Sequence, residues 1–91
     1  MDIEAFATAL HGHGVMDVET VGCFLSIPVG HAEALEVEQE RDTVFVTYRK
    51  WDRTHGLARE VEVCEFPAEL SVELMARITA GKVKEELARE Y

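Results

Sequence analysis

The sequence predicts an α+β domain made of three short helices, a β-hairpin and a closing helix. Three observations predict it. Apolar residues recur at three- and four-residue steps over residues 3–11, 17–40 and 72–91. Residues 43–50 and 57–66 alternate and are rich in β-branched and aromatic side chains. A chain of 91 residues, 47% of it apolar, suits one domain with one core. Residues 1–66 form the expected core and residues 67–91 the expected C-terminal helix.

Each element has its own warrant. Ile3, Phe6, Ala7 and Leu10 share one helix face, and Asp2 precedes them as a cap. Gly12 and Gly14 end that helix. Val18, Val21 and Leu25 fit a second helix over 17–25, with Asp17 at its start. Pro28 interrupts it and suits the first turn of a third helix over 29–40, with Ala32 and Leu35 facing inward. The same stretch allows a second reading. Val21, Cys23, Leu25, Ile27 and Val29 alternate as a half-buried strand does, and Leu35, Val37 and Gln39 alternate against Glu36, Glu38 and Glu40. A strand there makes the chain a four-stranded α+β domain. Pro28, which cannot donate to a ladder, and the Ala, Glu and Gln content of 32–40 favour the helices.

In the first strand of the hairpin, Val44, Val46 and Tyr48 face one way and Phe45 and Thr47 the other. In the second, Leu57, Val61 and Val63 oppose Glu60 and Glu62. Residues 51–56 between them have turn chemistry, with Gly56 free to take positive φ. Pro67 stops the second strand. Beyond Ser71, Leu74, Ile78, Val83, Leu87 and Tyr91 recur at helical steps, with Gly81 able to end or kink the helix.

This order resembles the winged helix-turn-helix family. Val18-Glu19-Thr20-Val21-Gly22, then Leu25-Ser26-Ile27-Pro28-Val29, Ala32 and Leu35, carry the resemblance. It implies that Gly22 lets two helices approach closely and that Ile27 plugs their corner. It implies a third helix in the DNA major groove. It also implies homodimerisation by the C-terminal helix, through Leu74, Ile78, Val83, Leu87 and Tyr91. Gln39 departs from the family's pattern, which has a larger apolar residue there.

Charge qualifies the resemblance. The net charge is −9, and residues 1–40 hold eight acids and neither Lys nor Arg. Such a half repels phosphate. The positions facing the groove fall near Val29, Gly30, His31, Glu33, Ala34 and Val37, none of them Lys or Arg. Basic character gathers on the expected wing: Arg49, Lys50, Trp51, Arg53 and His55.

Two functions follow. The first is a small transcription-associated regulator that touches DNA weakly through that wing. The second is an acidic interaction module or inhibitor, which meets a basic partner through His31, Glu33 and Glu36 of the third helix. Catalysis is not expected: there is no Ser-His-Asp set, phosphate loop or zinc motif. No cofactor or metal is expected either, since His11 and His13 do not share a helix face. Cys23 and Cys64 are read as reduced thiols of a cytoplasmic protein. No apolar run approaches a membrane span, and the acidic N-terminus is no secretory signal.

Overall fold

The computed structural model describes residues 1–89. A helix, α1 (Ile3–Gly12), is followed by five strands and a second helix. The strands are β1 (Glu19–Val21), β2 (Phe24–Gly30), β3 (Glu33–Glu40), β4 (Thr43–Asp52) and β5 (Gly56–Pro67), and the last helix is α2 (Val72–Leu87). The strands form one antiparallel meander in the order β1-β2-β3-β4-β5.

This architecture overturns the winged helix-turn-helix expectation. The expected second and third helices, 17–25 and 29–40, are instead β1, β2 and β3. Pro28 is the reason the sequence misleads. Proline is excluded where a strand is paired on both sides. Yet β1 begins only at Glu19, opposite Ser26, so among the described residues no strand pairs with β2 on that side from Ile27 onward. Pro28 pairs only with Ala34 of β3 and sits on a free margin. The alternation of Leu25, Ile27 and Val29 is therefore a genuine strand pattern, with all three buried.

The roles implied by the resemblance change accordingly. Gly22 turns the chain between β1 and β2 with φ +59°, and Ile27 is a core residue of β2. Asp17 lies in the loop between α1 and β1 and caps no helix. Two further turns carry positive φ on residues other than glycine, Ala32 at 55° and Arg41 at 57°. Gly30 borders the first of these turns and Asp42 stands in the second, but neither takes the left-handed position itself.

The other elements follow the sequence closely. Asp2 Oδ1 accepts from the Ala5 N–H at 3.1 Å and caps α1. Ser71 Oγ accepts from the Leu74 N–H at 3.1 Å and caps α2, which runs unbroken through Gly81. The β4–β5 corner is closed by Asp52 Oδ1, which accepts from the Thr54 N–H at 2.7 Å.

Both helices cover one face of the sheet. Phe6 and Leu10 of α1 and Met75, Ala76, Ala80 and Val83 of α2 form one cluster with the sheet residues. From the sheet come Leu25, Ile27, Leu35, Val37, Val44, Val46, Tyr48 and Phe66. Burying each Leu, Ile, Val or Phe contributes about 1.5–3 kcal/mol before entropy is charged against it. Of the residues expected to form a dimer surface on α2, Val83 is buried in this core, Leu74 is half-buried, and Ile78 and Leu87 are exposed. Tyr91 lies outside the described residues.

Candidate protein-interaction face

Among the described residues no helix covers the second face of the sheet. Strand register fixes which side chains share it, because side chains in one row across paired strands point the same way. One row is Val21, Phe24, Glu38, Phe45 and Glu65. The next is Glu19, Ser26, Glu36, Thr47 and Glu62. A third is Pro28, Ala34, Arg49 and Glu60. Glu40 extends the face toward the β3–β4 turn. Seven glutamates thus meet a single base, Arg49.

That base is already engaged. Arg49 donates through Nη1 to Glu36 Oε1 and through Nε to Glu60 Oε2 at 2.7 Å. Its guanidinium bridges β3 and β5, and the bond to Glu60 is the first of the contacts that raise its pKa. Glu36 is 7% exposed, although it belongs to the face without helices. Ala34 beside it is buried as well, and Phe24 and Phe45 are half-buried. The centre of the face is a packed, partly apolar floor, and the acids around it reach into solvent. Glu62 has its pKa raised, first by loss of solvation, then by a hydrogen bond with Glu65 and that group's charge. Two carboxyls therefore crowd one end of the face.

The other predicted site residues separate. Arg49 points to the open face, whereas Lys50, next along β4, shares a row with Glu33 and Arg59 on the helix side. Arg53 and His55 are exposed at the β4–β5 tip, and His55 Nδ1 lies 3.7 Å from Asp52 Oδ1. Arg49 and Lys50 thus stand on opposite faces of the hairpin. Glu33 accepts a hydrogen bond from the Tyr48 hydroxyl on the helix side, and Glu36 pairs with Arg49 on the open side. His31 is exposed in the β2–β3 turn. The expected third-helix surface of His31, Glu33 and Glu36 is split between two faces.

Some of these residues do converge elsewhere. His31, Glu33, Lys50, Trp51 and Arg53 line an open cleft of about 1030 Å³, together with Glu86, Leu87 and Arg89 at the end of α2. Its charges are mixed. Glu86 is 7% exposed, with Oε1 3.3 Å from Arg89 Nη2 and with no hydrogen-bond partner at Oε2.

The residues that sequence reasoning missed are Glu38, Glu62, Glu65, Phe24 and Phe45. Their signal was present in the alternation of Glu36, Glu38 and Glu40 and of Glu60 and Glu62. Only the pairing of the strands places these runs side by side.

Among the described residues no group of three His, Cys, Asp or Glu is arranged to hold a metal ion. No described helix is long and apolar enough to cross a membrane. Comparison with protein-family models, curated proteins and solved structures finds no match for this chain.

Proposed function

We propose that the protein is a small non-enzymatic interaction module whose open sheet face receives a positively charged protein surface. The observation that carries this reading is the face itself. Its seven glutamates share the face with a floor of half-buried Phe24 and Phe45 and buried Ala34, and its single arginine is already clamped by Glu36 and Glu60. A basic partner gains charge complementarity at the rim and apolar contact at the centre. Nucleic acid, with its dense negative charge, is repelled by the same surface. Cytoplasmic location belongs to this proposal and rests on the two free cysteines, Cys23 and Cys64.

The test is titration of the isotope-labelled protein with decalysine at low and moderate salt. Amide shifts are expected at Glu38, Thr47 and Glu62, weakening as salt rises. A variant carrying Glu38→Lys, Glu62→Lys and Glu65→Lys is expected to lose the response. Shifts confined to the helix side, or an unchanged response in that variant, overturn the reading.

A further inference from the structure

The sheet ends in a long strand with a free side. β5 runs twelve residues, Gly56–Pro67, and pairs only with β4. Among the described residues no strand covers its outer edge. The opposite margin is protected differently, by a β1 of only three residues. An exposed edge presents a row of main-chain N–H and C=O groups that can pair with another strand.

The edge is not uniform. Register slips once between Val46 and Thr47 and again between Lys50 and Trp51, leaving Val63 and Ala58 as extra residues on β5. Such bulges twist an edge and limit what can pair with it. Residues 59–62 between them are regular.

The two sides of that regular stretch differ in chemistry. Glu60 and Glu62 stand on the open face. Val61, 41% exposed, faces the helix side. There a groove of about 220 Å³ separates β5 from α2, with Val61 and Val63 in its floor and Lys82 and Glu85 in its wall.

We propose that β5 accepts an extended segment of a partner protein as a sixth strand, and that this segment alternates basic and apolar residues. Its basic side chains lie opposite Glu60 and Glu62, and its apolar ones enter the groove over Val61. A second copy of this chain fits poorly. Antiparallel self-pairing centred on Val61 sets Glu60 of each copy opposite Glu62 of the other, and pairing centred on Glu62 sets that residue against itself. Like charges directly opposite destabilise a strand pair, and each chain carries −9. The proposal rests on the reading of the protein as a module for basic partners, and it specifies the mode of contact.

The experiment compares two peptides of sequence Thr-Lys-Val-Lys-Val-Lys-Thr. One is unmodified. The other carries N-methyl groups on alternate amides, which removes one row of donors and keeps the charge. Binding is read by titration, and hydrogen exchange is followed at the β5 amides that β4 does not engage. The unmodified peptide is expected to protect amides within residues 59–62, and N-methylation is expected to weaken binding about tenfold or more. Equal binding of the two peptides, lost with Glu60→Gln plus Glu62→Gln, overturns strand addition and leaves charge docking standing. Absence of binding by either peptide and by decalysine removes both readings. Concentration-dependent protection of the same amides without peptide overturns the proposal in favour of self-pairing.

Discussion

Arg49 reaches across the sheet from β4 to Glu36 on β3, and that contact lets a carboxylate lie almost wholly covered on the face without helices. The Nε bond from Arg49 to Glu60 ties β5 into the same bridge. A bridge of this kind matters more through the cost of breaking it than through its net contribution.

Arg49→Ala is therefore expected to destabilise the protein by about 1–3 kcal/mol, because Glu36 is left covered without its cation. Removing both partners, as Arg49→Met with Glu36→Leu, is expected to recover most of that loss. Urea unfolding of the two variants measures the difference. Equal destabilisation by the single and double changes contradicts the account.

Glu62 gives a pH signature. Its folded-state pKa is raised, so the folded protein keeps this proton to higher pH than the unfolded chain does. Stability from this group then falls as pH rises from the ordinary carboxylate range through the raised one. Glu62→Gln is expected to melt above the unsubstituted protein at about pH 7, with the advantage fading toward about pH 4. An advantage that widens on acidification refutes the assignment.

Proline placement tests the edge of β2. Ser26 is paired on both sides, with Glu19 and with Glu36, whereas Pro28 is paired with Ala34 alone. Ser26→Pro is expected to cost about 3 kcal/mol or more, and Pro28→Ala less than about 1 kcal/mol. Circular dichroism during urea unfolding reads both. Comparable losses from the two substitutions argue against β1 beginning where it does.

The β2–β3 corner holds Ala32 at φ 55°, a conformation that costs a residue with a Cβ roughly 1 kcal/mol. Ala32→Gly is expected to stabilise the protein by about 0.5–1 kcal/mol. A lower melting temperature contradicts the strain.

The two helices at 3–12 and 72–87 and the β4–β5 hairpin were legible because their signals are local: caps at Asp2 and Ser71, and alternation with a Gly56 turn. The region 17–40 was not, for two physical reasons. Whether Pro28 breaks a strand depends on how far β1 extends, which no residue near Pro28 reports. The corners at Ala32 and Arg41 put the left-handed backbone on residues other than glycine or asparagine, so Gly30 and Asp42 beside them do not read clearly as hairpin turns. The acidic face had the same fate. Glu36 and Glu60 are distant in sequence, and only the guanidinium of Arg49 joins them.

The meander has a consequence for synthesis on the ribosome. Every strand pairs with its immediate neighbour in sequence, so each hairpin can form as soon as its second strand emerges. Helix α2 follows all five strands, and α1, which packs chiefly against α2, gains that neighbour only after the sheet is made. Until then a growing chain carries a finished sheet whose oily flank only α1 begins to cover, an interval in which it is open to association with its neighbours.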